Sequence, residues 1–354
     1  MSTPAAIQVI ALTPAGAALG QRLCQHFPGA QLHLPAKLPS QGLPAQAFAS
    51  LRDVFTLAFQ QRTPVVAIMA TGIVVRHLAP LLQRKDVDPA VVVMDERGRF
   101  AISLVSGHLG GANALAAAVA KAVGATPVIT TASDVQGLPA LDTLAVKLGL
   151  AIENLPQIKV VQMAWLSGQK VRLVDPDGCL SAALAAWSDL ITPVPEEPQA
   201  LSQPGPAVYI GCREYSWPAK WLRLRPKNLV AGVGCNKGTP VDEILALLEQ
   251  TLAREHLSRH CLRCLATITV KQHEAGLIAA ARRLGVPLQC FPPEELAPIK
   301  VPNPSALVQR HLGVASVCEA AALKAAGSNT LLVAKQKTAN VTLAIALAGS
   351  ASSV

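Results

Sequence analysis

Over the first 130 residues, apolar positions fall into two alternating patterns. Residues 7–12, 31–34, 65–70, 90–94 and 99–105 are short runs rich in Val, Ile and Leu and bounded by turn residues, as expected of buried strands. Between them, 14–26, 48–60, 73–82 and 111–123 space their apolar residues three and four apart, as expected of helices with one buried face. Thr13 is placed to cap the first helix ahead of Pro14. Asp95-Glu96-Arg97-Gly98 reads as a turn between two strands, and 128–131 as a further strand. This alternation predicts an α/β fold with a mostly parallel sheet and sites at strand ends.

The pattern returns after Asn228. A strand runs into the glycine-rich loop Gly232-Val-Gly234-Cys235-Asn236-Lys237-Gly238-Thr239, followed by a helix over 240–256 that Thr239 is placed to cap. Strand 265–270, helix 274–284, strand 287–291, a proline-rich loop over 292–304, helix 316–326 and apolar runs 330–334 and 341–347 complete the unit. Composition shifts between the two units: all four Trp and both Tyr lie between 165 and 221, and 193–206 is rich in proline. The chain therefore divides into an N-terminal α/β domain (1–138), a smaller mixed middle domain with a Pro-rich loop (139–227) and a C-terminal α/β domain (228–354). The middle aromatics read as core packing, with stacking on a flat ligand as the alternative.

Composition narrows the function. Hydrophobic residues make up 51% and charged residues 15%, which excludes a disordered chain. A net charge of +9 favours acidic partners, but Lys and Arg do not cluster, so nucleic acid is not expected. A small molecule with several carboxylates suits dispersed positive charge. There is no basic leader, and the polar groups and glycines within 100–120 argue against a membrane span. Eight scattered cysteines read as reduced thiols in a cytoplasm.

Chemistry concentrates in Ser106-Gly107-His108-Leu109-Gly110-Gly111-Ala112-Asn113, a turn from strand into helix where backbone N–H groups face an anion. His108 is a candidate general base near neutral pH. It is equally a histidine that only holds the loop. A Ser106–His108 nucleophile pair would require an unusual loop. The Gly232–Gly238 spacing fits neither the dinucleotide fingerprint nor the P-loop, but suits a backbone nest for a carboxylate with Lys237 beside it, or equally a plain structural turn. Cys235, near a helix start, is expected to have a lowered pKa and is a candidate nucleophile, with packing in apolar company as the more usual role of such a thiol. His256-x-x-x-His260-Cys261-x-x-Cys264 could share a helical face and hold zinc; incidental thiols at a helix end are the default. Glu319 starts an apolar helix, where it acts on substrate or complements the dipole.

Gly72-Ile-Val-Val-Arg76, Ala79-Pro80, Lys85-x-x-Asp88-Pro89, Asp95-Glu96, the Ile102–Asn113 run and Val128-Ile-Thr-Thr131 closely resemble the cobalt-precorrin-5A hydrolase family of anaerobic cobalamin biosynthesis. So do Gly232-Val-Gly-Cys235, Gly238-Thr239, Val270-Lys271-x-x-Glu274, Ser316-Val-Cys-Glu319 and Lys335. Asn236-Lys237 departs from the two Arg often found there, and Ser133 from a common Thr. The resemblance implies a three-part enzyme that opens a δ-lactone on a cobalt-bound corrinoid. A two-carbon unit leaves as acetaldehyde, giving cobalt-precorrin-5B. Cobalt then belongs to the substrate, and no cofactor or enzyme-held metal is expected. Contact with neighbouring pathway enzymes and self-association stay open. The alternatives are a corrinoid-binding or handover protein and a methyltransferase of the same pathway.

Catalytic roles come from residue chemistry, with His108, Ser106 and Glu319 as candidates and N–H groups of 107–111 as oxyanion donors. Thr71, Gly72, Arg76, Lys85, Gly107, Gly110, Gly111, Asn113, Thr131, Gly234, Cys235, Lys237, Gly238 and Thr239 are the substrate-binding candidates.

Overall fold

A computed structural model of the chain describes residues 6–38, 44–84, 87–108, 110–197 and 203–349. The chain forms two compact units, Met1–Thr143 and Leu144–Val354, the second carrying two sheets.

The first unit is built on a seven-stranded sheet. Its elements are β1 (Gln8–Ala11), α1 (Pro14–His26), β2 (Gln31–Pro35), β3 (Ala45–Phe48), α2 (Leu51–Gln61), β4 (Val65–Ile68), α3 (Thr71–Leu78), β5 (Val91–Met94), β6 (Phe100–Val105), α4 (Ala112–Val123), β7 (Thr126–Val128), α5 (Ala132–Val135) and α6 (Leu141–Lys147). The last of these runs across the boundary between the units. Strand order is β3-β2-β1-β4-β5-β6-β7, reversing between β1 and β4. Five strands from β3 to β5 are parallel. Strand β6 runs against β5, and β7 runs with β6. The Val-Val-Ala-Ile and Val-Val-Val-Met strands β4 and β5 are buried throughout, as strands covered on both faces must be.

Helix α1 has the expected limits, with Thr13 Oγ1 accepting the Gly16 N–H. Other limits shift for local reasons. Phe48 belongs to β3, paired with Pro35, so the next helix starts after Ser50, whose hydroxyl accepts the Asp53 N–H. Helix α3 begins at Thr71 and stops two residues before Pro80, which has no N–H to continue the ladder. Strand β7 covers 126–128 rather than 128–131, because Thr131 caps α5 instead.

In the second unit, β8 (Leu150–Ile152), α7 (Pro156–Leu166), β9 (Val171–Val174), α8 (Cys179–Ala183), β10 (Ile191–Pro193), β11 (Ala207–Ile210) and β12 (Trp221–Pro226) form a five-stranded sheet ordered β10-β9-β11-β12-β8. The aromatics pack on one another: Trp217 lies 4.5 Å from Tyr209, 5.1 Å from Tyr215 and 5.9 Å from Trp221 between ring centroids. Arg225 is fully buried beside them. It is held by Glu153 at 2.6 Å and Glu214 at 2.8 Å, and it donates to the carbonyls of Gly211 and Arg213. These contacts support the core-packing reading.

The remaining elements are β13 (Leu229–Cys235), α9 (Val241–Arg254), β14 (Leu262–Ile268), α10 (Ala275–Leu284), β15 (Leu288–Phe291), α11 (Pro293–Leu296), α12 (Ala306–Leu312), α13 (Val317–Ala326), β16 (Leu331–Lys337) and β17 (Val341–Leu347). Their sheet is ordered β15-β14-β13-β17-β16, with β13, β14 and β15 parallel. Helix α13 lies directly on β13. A Cβ at Gly232 would fall 1.9 Å from the Cys318 carbonyl oxygen and 2.7 Å from the Ala322 nitrogen, both backbone. The zinc alternative loses its helix: α9 ends at Arg254, and His256 turns into the left-handed region (φ 52°), so His256 and His260 share no helix face. Among the described residues no group of three His, Cys, Asp or Glu is placed to hold a metal, and no helix is long and apolar enough to cross a membrane.

Because backbone cannot yield as a side chain can, Gly232→Ala should cost about 1–3 kcal/mol by overpacking. A chemical-denaturation midpoint unchanged from wild type would contradict this packing.

Candidate functional site

The reversal of β6 decides where the 106–113 turn lies. Val105 pairs with Val91, the first residue of β5, so the turn leaves the sheet where β5 begins. Strand β7 runs with β6 and delivers Thr131, Ser133 and Asp134 to the same edge.

The turn is closed by its own backbone. Gly111 N–H donates to His108 O (2.8 Å), Ala112 N–H to Ser106 O (3.0 Å) and Asn113 N–H to Gly107 O (3.0 Å). Gly111, expected among the oxyanion donors, is therefore spent inside the turn. Ser106 is in the left-handed region (φ 60°), and Gly110 crosses it so closely that a Cβ there would meet Ser106 Cβ at 2.2 Å. Ser106 Oγ is buried with no hydrogen-bond partner among the described residues. It is not paired with His108.

His108 turns instead to the carboxylates brought by α5 and α6. Its Nε2 lies 2.9 Å from Asp134 Oδ2 and 3.2 Å from Ser133 Oγ; its Nδ1 lies 4.0 Å from Asp142 Oδ2. The ring is mostly enclosed, 16% exposed, and Asp142 is buried. Asn113 secures the arrangement from α4. Its Nδ2 donates to Asp134 Oδ2 (3.0 Å) and Thr131 Oγ1 (3.2 Å), while its Oδ1 accepts from Ser103 Oγ (2.6 Å). Gly107 leaves room for this amide, since a Cβ there would lie 2.7 Å from Asn113 Oδ1. His108, Asn113, Thr131, Gly107, Gly110 and Gly111 thus come together. Asp134 and Asp142, which sequence reasoning did not select, complete the group. An imidazole with one nitrogen on a carboxylate can take a proton at the other.

Other candidates lie elsewhere. Thr71 is at the opposite edge of the sheet, after β4, in a cavity of about 420 Å³ with Thr13, Asp95 and Glu96. This cavity sits where strand order reverses, the usual ligand position in open α/β sheets. Gly72 lies in the first turn of α3, and Arg76 folds back onto the Gly72 carbonyl (3.3 Å). Lys85 lies outside the described residues.

In the second unit the expected nest is already occupied. Gly238 N–H donates to Glu274 Oε1 (2.6 Å), and Lys271 pairs with Glu274 Oε2 (3.2 Å). The Gly238 amide is therefore not free for a substrate carboxylate. Thr239 does not cap the helix. Its hydroxyl donates to Asn236 O (2.9 Å), and Pro240 occupies the cap position. Burial raises the Cys235 thiol above its ordinary value, and Lys271 only partly offsets this, contrary to the expected lowering. Gly234 packs against Thr342, and Lys237 is exposed. Glu319 is fully buried. It accepts from Asn303 N, Asn303 Nδ2 and Lys335 N at 2.8–3.1 Å, tying a loop to β16 with no open face for catalysis.

Comparison with known proteins places the whole chain in one context. Three family models match in succession: Cobalamin synthesis G N-terminal at 53–134, Cobalamin biosynthesis central region at 139–226 and Cobalamin synthesis G C-terminus at 229–346. A cobalt-precorrin-5A hydrolase from Priestia megaterium is 33% identical, covering 96% of this chain and 94% of its own. One from Salmonella typhimurium is 37% identical over 90% and 91%. A solved structure of a putative cobalamin biosynthesis protein G homolog from Sulfolobus solfataricus aligns over 97% of both chains, at 20% identity and a TM-score of 0.37.

The Glu274 geometry has a pH signature. The Gly238 N–H, with Lys271, holds the Glu274 carboxyl below its ordinary value of 4.5 against a burial effect that opposes it. A carboxyl lowered on folding stabilises above its unfolded pKa and loses that contribution as pH falls through the folded value. Glu274→Gln should flatten the acid limb of the stability curve between about pH 5 and pH 3, read as denaturant midpoints. An acid limb identical to wild type would rule the contact out.

Proposed function

The chain belongs to the cobalt-precorrin-5A hydrolase family, and from that membership we propose that it opens the δ-lactone of cobalt-precorrin-5A, releasing a two-carbon unit as acetaldehyde and leaving cobalt-precorrin-5B. The observation that carries a hydrolytic reading of this chain is the His108 group, an enclosed imidazole anchored on a carboxylate at the end of a glycine turn.

His108 takes a proton from water as the water oxygen attacks the lactone carbonyl. The oxyanion falls to N–H groups of the turn other than those of Gly111, Ala112 and Asn113, which are spent internally. The protonated ring then returns its proton to the departing alkoxide. Carbon–carbon cleavage follows as a retro-aldol step: the neutral ring takes the proton of the freed hydroxyl as the C–C bond breaks and the aldehyde C=O forms, and it delivers that proton to the carbon left on the macrocycle.

Cobalt arrives with the corrinoid, and the protein needs no cofactor of its own. Exposed Arg76 and Lys237 are suited to the carboxylate side arms of such a substrate. Eight unpaired cysteines support a reducing, cytoplasmic setting.

His108→Ala should lower acetaldehyde release from cobalt-precorrin-5A by roughly a hundredfold or more while the melting transition persists. Turnover near wild type would remove His108 as the base. Stoichiometric corrinoid binding without acetaldehyde from the wild-type protein would make it a carrier.

A further inference from the structure

Two carboxylates bracket one imidazole in the first unit, and the hydrogen bonds around them distinguish its nitrogens. Asp134 Oδ2 lies 2.9 Å from Nε2, a normal hydrogen bond. Asp142 Oδ2 is 4.0 Å from Nδ1, too far to accept from it. The neutral ring carries one N–H, and a carboxylate can only accept. The proton therefore belongs on Nε2, with the lone pair on Nδ1.

Asp134 is itself fixed. Asn113 Nδ2 donates to the same Oδ2, and the other end of that amide is held by the Ser103 hydroxyl. Ser133 Oγ, 3.2 Å from Nε2, is a second acceptor for the same N–H. These bonds span β6, α4 and α5, so the orientation of the ring is set by three elements rather than by the mobility of one loop.

Resting on the hydrolytic reading above, we propose that Asp134 is the positioning residue of this site: by accepting Nε2–H it holds His108 in the tautomer that makes Nδ1 the proton-accepting atom. In the step, a water O–H bond breaks and the proton goes to Nδ1. The electron pair of the water oxygen forms the new C–O bond, and the carbonyl π pair moves onto the lactone oxygen. When the tetrahedral species collapses, the ring-oxygen bond breaks and the alkoxide recovers the proton from Nδ1. Nε2–H stays on Asp134 throughout. Asp142, buried on the Nδ1 side, attracts the positive charge the ring acquires between the two transfers. Asp134 and Asp142 are the titratable groups the structure brings to this ring.

Nitrogen-15 NMR of histidine-labelled protein at alkaline pH, where imidazole is neutral, reads the tautomer directly. His108 is assigned by the signals lost in His108→Gln. Wild type should show a protonated Nε2 and a bare Nδ1. The opposite tautomer overturns the proposal. Asp134→Asn should lower kcat for acetaldehyde release by roughly a hundredfold and weaken the tautomer preference. Its KM should stay within about threefold of wild type. Asp134→Glu, which keeps the acceptor, should recover part of kcat. Wild-type kcat in Asp134→Asn overturns the proposal, as does a loss confined to KM or to melting temperature with the tautomer unchanged. If His108→Gln is inactive while Asp134→Asn is fully active, Asp134 alone is excluded. If His108→Gln is itself fully active, the reading of His108 as the base fails first.

Discussion

The candidate site depends on β6 running against β5. Five parallel strands send their C-terminal ends to one edge of the sheet, where the 420 Å³ cavity opens at the reversal of strand order. Strand β6 returns along β5, so its C-terminal end and the turn that follows emerge at the other edge. Strand β7, parallel to β6, brings Thr131–Asp134 there as well. Had β6 been parallel, the glycine turn and the cavity would share an edge, and Asp134 would follow a strand pointing with the rest. One reversed strand therefore separates two kinds of place on one sheet: an apolar cavity, and a compact polar group around an imidazole.

Parts of this were legible in the residues. Helix α1 could be read from Thr13, Pro14 and the spacing of its apolar positions, since each is a local signal. Strands β4 and β5 could be read because burial on both faces leaves uninterrupted Val and Ile runs. The glycine turn stood out because Gly107 and Gly110 serve contacts a few residues away. Asp134 was not legible as a site residue. It lies 26 residues from His108, in a helix of four residues, and only the pairing of β6 with β7 brings the two together. The direction of β6 was equally hidden, because an apolar run carries no sign of which way it pairs. Asp142 was missed for the same reason, and the reach of Glu274 to the Gly238 amide, 36 residues away, was equally hidden.

The second unit shows how a correct local reading can assign the wrong occupant. Gly238 does present an N–H to a carboxylate, as the glycine-rich loop suggests, but the carboxylate is Glu274 of the same chain. Glu319 likewise sits at the start of an apolar helix, yet three donors close around it. Gly238 is exposed and the groups around Glu319 are part-buried or buried, so it is reach within the fold, and not burial of the donor alone, that fills both. Sequence shows the donors; which acceptor reaches them first is a property of the packed structure.

That distinction separates the carboxylates of the molecule by what they can do. Asp95 accepts from the backbone N–H groups of Arg97, Arg99 and Phe100; burial pushes its carboxyl up, but these bonds outweigh it and hold the group below its ordinary value. Glu274 and Glu319 are bound in the same manner by amides. An amide N–H is a donor that does not give up its proton, so the bond to such a carboxylate fixes a turn or loop and passes no proton across it. Asp134 is different, because the donor facing it is an imidazole, which has a second ring nitrogen besides the one it presents. A change of charge at His108 is felt by Asp134 at 2.9 Å and by Asp142 beyond the other nitrogen. Among the described residues of the first unit, those two carboxylates flank an imidazole. The imidazole and its two carboxylates therefore stand at the edge reached by β6, apart from the cavity at the other.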